Sequence, residues 1–332
     1  MGKYLIPNYL GKFKCKCGEC RNSCCEGWTV TMSLNEYFKI NNLDCDIELR
    51  DKLDRGIYKC IDSTSDRYAY IKKNYFGDCV FHGSDGLCEL HKTFGSDNIP
   101  RVCDMYPRSY KEEPYFKKSC SNSCEGVLEL LINDIEKLEF VEYTDNNELE
   151  MKCISLIQED KPMKEKFIEI GKLFEVNNSS DHDFKKLLVL INDYMLLYKD
   201  HHTVEEFIDN IIKINEDSSI EENFNNFKKH LYEVIPDYDK YISKIMANHI
   251  LFTDFPYERQ GYNVSFYSLC GVYAFVNYMV IFIMSDKNTL TDLVDALSKI
   301  FRLIEHSKFP LMIGNYIKSK LSLNEVHNLA KF

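Results

Sequence analysis

Residues 15–28 read Cys15-Lys-Cys17-Gly-Glu-Cys20-Arg-Asn-Ser-Cys24-Cys25-Glu-Gly-Trp28, with five cysteines inside eleven residues. Such a stretch serves disulfides, zinc, an iron–sulfur cluster or reactive thiols, and the rest of the chain weighs these against one another. Residues 1–14 (MGKYLIPNYLGKFK) lack a basic segment followed by an apolar run and a small-residue cleavage site, which predicts a cytoplasmic protein. Thiols there stay reduced. A chain of 332 residues buries a core without cross-links, so fourteen cysteines point to metal or redox chemistry before a disulfide framework.

Working outward, twelve of the fourteen cysteines fall before residue 126: positions 15, 17, 20, 24, 25, 45, 60, 79, 88, 103, 120 and 124. Only Cys153 and Cys270 follow. Charge divides the chain at the same place. Residues 1–125 carry 19 Lys and Arg against 18 Asp and Glu, whereas 126–332 carry 22 against 34. An acidic half disfavours nucleic acid and anionic membrane surfaces and suits a lysine-bearing partner, with plain solubility as the competing explanation.

The first 125 residues are rich in turn signals (GEC, DRG, NYFGD, FHGSDG, IPRVCDMYPRS) and predict loops and short helices wrapped round a metal. From Val127 the pattern changes. VLELLINDIEKLEF places Leu128, Leu131, Ile132, Ile135 and Leu138 on one helical face, and five later segments repeat that period. Asn288 is a candidate N-cap, Pro236 separates two helices, and the stretch around residue 180 reads as a loop. The uncharged run VSFYSLCGVYAFVNYMVIFIM is long enough to span a bilayer, but Asn277 and several Tyr and Ser interrupt it and no Lys or Arg cluster flanks it. A buried core helix is expected. The fold class is therefore mainly α: a cysteine-rich, loop-rich metal-binding region (1–125) packed on an all-helical region (126–332).

No GxxxxGK[ST], GxSxG, HExxH or glycine-rich loop after a strand is present. The cysteines are the only dense chemical signal. Thiolates a few residues apart in a turn-rich loop converge on one metal site, and a second set follows at Cys79, Cys88, Cys103 and Cys124, each beside a turn. Zinc ribbons want paired CxxC knuckles, and only Cys17–Cys20 gives one. Adjacent Cys24 and Cys25 suit a cluster whose ligands reach different irons better than a single tetrahedral zinc. Iron–sulfur ranks first and zinc second.

Phe13-Lys14-Cys15, the run Cys20 to Trp28, Cys79-Val80-Phe81, Gly86-Leu87-Cys88, Cys103-Asp104-Met105-Tyr106-Pro107-Arg108 and Ser123-Cys124-Glu125 together resemble the flagellin lysine N-methylase family. The N-terminal part of that family is similar to small zinc- or iron-chelating cysteine-cluster proteins. The resemblance covers residues 1–125. It implies a protein lysine methyltransferase acting on flagellin, with S-adenosylmethionine as donor and a [4Fe–4S] cluster. It further implies metal ligands among Cys15, Cys20, Cys24, Cys25, Cys79, Cys88, Cys103 and Cys124, with Cys17, Cys45, Cys60 and Cys120 outside the pattern. Glu125 departs from the proline common there, and the CxxxCxxC spacing of radical S-adenosylmethionine enzymes is absent. Tyr106 and Arg108, close to Cys103, are the candidate catalytic residues, with Trp28 beside Cys25; His82 and His91 flank cysteines as weaker ligand candidates. The competing reading is a non-catalytic zinc or iron–sulfur module with a partner-binding helical region. Neither reading involves nucleic acid or a membrane.

Overall fold

The computed structural model describes residues 5–75, 77–112, 116–142, 148–176, 178–216, 219–253, 255–256 and 262–332. Helices dominate, with a few strands of two to four residues. The chain divides into two compact units, Lys14–Arg108 and a larger one made of Met1–Phe13 with Ser109–Phe332. This differs from the expected split at 125/126. The N-terminus belongs to the larger unit because Ile6–Pro7 pairs antiparallel with Phe140–Glu142 and the Leu5 amide donates to Phe116 O at 2.8 Å, while Tyr9 and Phe13 enter its core. That unit is accordingly not all-helical.

The helix Tyr262–Ile283 forms the centre of the larger unit. Among the described residues one helical stretch, Asn263–Asp286, is long and apolar enough to cross a membrane, and its apolar window is wholly buried by the protein's own helices. Its polar interruptions are paired internally: Asn277 Nδ2 donates to Tyr273 O at 2.8 Å, Asn277 Oδ1 accepts from Tyr238 OH at 2.9 Å, and Tyr267 OH reaches Leu321 O at 3.0 Å. Pairing removes the cost of burying them. Gly271 lets the helix Phe309–Lys318 approach, since a Cβ there would stand 3.0 Å from Ile313 Cγ1.

Two sequence expectations shift locally. The helix begun by the VLELL segment spans Glu125–Asn133 and stops before Ile135 and Leu138, which are buried beyond it. Lys244 reaches in from the helix Tyr238–Phe252 and donates to the carbonyls of Ile132 and Ile135, taking the place of further helical turns. The N-cap of Leu290–Glu305 is Thr289, not Asn288: its hydroxyl and the Asp292 carboxylate form a reciprocal capping box. Pro236 does separate helices Ile220–Val234 and Tyr238–Phe252.

The smaller unit has a three-stranded antiparallel sheet with Ala69–Ile71 between Thr31–Met32 and Ile57–Lys59. Helices Leu34–Asn41, Ile47–Gly56, Glu89–Phe94 and Arg101–Met105 surround it. Its core is small, built on Met32, Ile40, Leu53, Ala69, Phe81 and Leu90. Half-buried Cys45, Cys79, Cys88 and Cys103 pack against that core.

Candidate metal centre

Asn22 and Ser23 are buried and anchor the first cysteine loop. Ser23 Oγ accepts from the Cys25 amide at 3.1 Å and Ser23 O from the Glu26 amide, which turns the chain and exposes Cys24. The Cys79 amide donates to Cys25 O at 2.8 Å, tying the second cysteine segment to the first. A second tie needs two glycines. Gly86 has φ +76°, and a Cβ on it would lie 2.7 Å from Gly18 O, so the loops 15–20 and 79–88 approach through bare backbone.

Cys88 precedes the helix Glu89–Phe94 and Cys103 sits in the helix Arg101–Met105. Burial pushes the Cys103 thiol well above its ordinary value, and the neighbouring thiols of Cys24, Cys79 and Cys88 push it further. Four cysteines from three sequence-distant segments thus share one electrostatic environment. Cys79 is raised to about 11, mainly by burial, and Cys88 is raised for the same reason. Backbone amides oppose this: the Phe81 N–H favours a thiolate at Cys79, and those of Leu90 and His91 do so at Cys88. Buried thiols that repel one another as thiolates, yet are met by N–H donors, form a donor set that a cation would stabilise. Among the described residues no three cysteine sulfurs lie within 4.8 Å of one another.

Other sequence candidates sit differently. Cys15 is exposed, and its sulfur accepts from the Cys17 amide at 3.3 Å; the Cys17 thiol is raised first by Cys15, with Cys24 also contributing. Cys17, outside the sequence pattern, is therefore part of the cysteine neighbourhood. Its left-handed φ of +53° fixes that geometry, which spacing alone does not reveal. Cys20 and Cys25 are half-buried in the first loop. Cys124 belongs to the larger unit, preceding the helix Glu125–Asn133 and packing against the large core. Of the proposed catalytic residues, Tyr106 packs against Trp28 with ring centroids 5.2 Å apart, and Trp28 Nε1 donates to Cys24 O at 2.5 Å. Trp28 and Tyr106 thus form an aromatic wall tied to the thiol loop. Arg108 is half-buried at the end of the smaller unit. His91 contributes its backbone amide to Cys88.

The chain is 26% identical over 152 residues to the lysine-N-methylases of Salmonella typhimurium (strain LT2) and Salmonella choleraesuis, a match covering 42% of this chain and 34% of each relative. It thus spans about a third of the length of these curated relatives. It is also 26% identical over 142 residues to the flagellar biosynthetic protein FliU of Salmonella muenchen, covering 39% of this chain and 76% of that protein. No family model and no solved structure matches. The similarity is to lysine-methylase-related flagellar proteins, at low identity and over part of the chain.

Proposed function

We propose that this chain is a protein lysine N-methyltransferase that modifies surface lysines of flagellin, with S-adenosylmethionine as donor and a [4Fe–4S] cluster held by the smaller unit. The observation that carries this reading is the gathering of Cys24, Cys79, Cys88 and Cys103 in one environment, in a chain with partial similarity to lysine-N-methylases. Those four are the favoured ligands. Tetrahedral zinc with Zn–S bonds of about 2.3 Å draws its sulfurs to about 3.8 Å from one another. A [4Fe–4S] cluster instead takes its thiolates on separate irons, which suits ligands drawn from three sequence-distant segments. Bound through three of these thiolates, the cluster would keep one iron open to the amino and carboxylate groups of the donor, a role otherwise given to a glycine-rich loop.

The protein's own residues do the rest. A lysine amine with an ordinary pKa of about 10.4 must lose its proton before it attacks the sulfonium methyl. The new N–C bond then forms as the S–C bond breaks, and S-adenosylhomocysteine leaves as a neutral thioether. Trp28 and Tyr106 offer an apolar wall against which the lysine stem or the adenine ring packs, and such a wall favours the neutral amine by desolvation. Arg108 suits the donor carboxylate. The acidic residues of 126–332 attract cationic lysines from a distance.

The test uses anaerobically purified full-length protein. Iron with equivalent sulfide, broad visible absorption, and methyl-lysine on flagellin by mass spectrometry support the reading. Colourless protein with stoichiometric zinc and no methyl transfer instead supports a structural metal module, which the small core of the smaller unit would need equally.

A further inference from the structure

Beside the thiols lies a second donor set of different chemistry. A carboxylate oxygen of Glu26, one of Asp78 and a ring nitrogen of His82 lie within 4.8 Å of one another. Backbone pairing produces the convergence. Glu26 and Asp78 face each other across an antiparallel bridge, continued by the Cys79 amide on Cys25 O at 2.8 Å. The chain then turns, with the His82 amide on Cys79 O at 2.9 Å, which brings the imidazole back to the carboxylates.

We propose that Glu26, Asp78 and His82 bind a divalent first-row ion of the Mn²⁺ or Fe²⁺ class, at a site separate from the thiols. Three features converge on this. First, two carboxylates and an imidazole place their donor atoms within reach of one cation, which both carboxylates attract. Second, the buried Nε2 of His82 has no hydrogen-bond partner, a costly state for an imidazole unless it binds a ligand. Third, Asp78 is oriented from outside the set: Asn74 Nδ2 donates to Asp78 Oδ2 at 3.1 Å, while Asn74 Oδ1 accepts the Asp78 amide at 2.9 Å. These bonds fix the Asp78 carboxylate, as outer-sphere hydrogen bonds do for metal-binding carboxylates. Two oxygens and one imidazole nitrogen select harder ions than the thiol set does. All three residues are half-buried, which leaves coordination positions for water or a small oxygen ligand.

Mn²⁺ is the probe, because it prefers oxygen and nitrogen over thiolate and is read directly by electron paramagnetic resonance. Full-length protein, anaerobic and with its thiol site loaded as isolated, is titrated with MnCl2. One bound Mn²⁺ is expected, with a single histidine nitrogen coupled to it in double-resonance spectra of the unmutated protein. Glu26→Gln, Asp78→Asn and His82→Gln, each checked for folding by circular dichroism, should weaken binding by about tenfold or more. Cys17→Ser should leave it unchanged. Absence of binding at millimolar Mn²⁺, a bound ion without histidine coupling, or equal affinity in folded variants overturns the proposal. None of these readouts depends on methyl transfer.

Discussion

The two units hold their polar groups in opposite ways. In the larger unit, buried polar atoms find one another across a continuous apolar core: Tyr9 OH donates to Asn248 Oδ1 at 2.6 Å, Asn248 Nδ2 to Asn122 Oδ1 at 2.7 Å, and the buried Glu305 carboxylate accepts from Ser121, the Asn122 amide and His249. These groups satisfy one another among the described residues, although Ser119 Oγ and Asn328 Oδ1 elsewhere in the unit are buried without a hydrogen-bond partner. The smaller unit has few buried apolar side chains, and burial first, then the neighbouring thiols, raises the pKa of Cys103. A helical body with a large continuous core needs no ligand to complete it, whereas the proposed metal would tie together the loops of the smaller unit.

Metal removal should separate the two most sharply. Chelation under reducing conditions, or Cys79→Ser or Cys103→Ser, is expected to abolish hydrogen-exchange protection in 14–108 and leave it in the helix Tyr262–Ile283. Cys153→Ser and Cys270→Ser, buried in the larger unit, should retain the metal. Equal loss of protection throughout would join the units into one cooperative system.

Next in size is overpacking of the larger core. Gly271→Leu adds a side chain where a Cβ already meets Ile313 and Ile317, and about 3 kcal/mol of destabilisation is expected by denaturant titration. The metal content of folded protein should not change.

The pH dependence of the larger unit follows from His306. Its pKa is lowered to about 4, first by burial and then by Arg302, with Glu305 opposing. Between the ordinary value of about 6.5 and about 4 the unfolded chain binds this proton and the folded one does not, so stability falls as pH drops through that window. The loss attributable to His306 is about 3 kcal/mol, and His306→Gln should flatten the profile above pH 4. An unchanged slope in that variant would place the acid sensitivity elsewhere.

The smallest expected effect uses one device present in both units. Ser33 with Glu36 and Thr289 with Asp292 each form a capping box. Replacing Ser33 or Thr289 by Ala should cost about 1 kcal/mol each. The Ser33 change should also weaken metal retention, because Glu36 Oε1 accepts the Arg101 amide at 2.6 Å, at the start of the helix that carries Cys103. Identical metal affinity in the two variants would show that this helix is positioned by other contacts.

The helical periods of 184–305 were legible because an amphipathic face repeats locally, and the core nature of 262–283 was legible from its interrupting Asn and Tyr. The ligand-rich character of 15–103 was equally plain from cysteine density. Three-dimensional structure decided what depends on distant pairings. It drew residues 1–13 and 109–125 into the helical unit through the strand pairing of Ile6–Pro7, and with them Cys124. It brought Cys24, Cys79, Cys88 and Cys103 together while leaving Cys15 exposed beside Cys17. It also joined Glu26, Asp78 and His82, whose only sequence trace is their adjacency to cysteines and turns. Residue type and local period determine which chemistry and which helices a chain can have. Which donors share a site is set by backbone bridges and the close passage of Gly18 and Gly86, contacts between residues dozens of positions apart that no local pattern encodes.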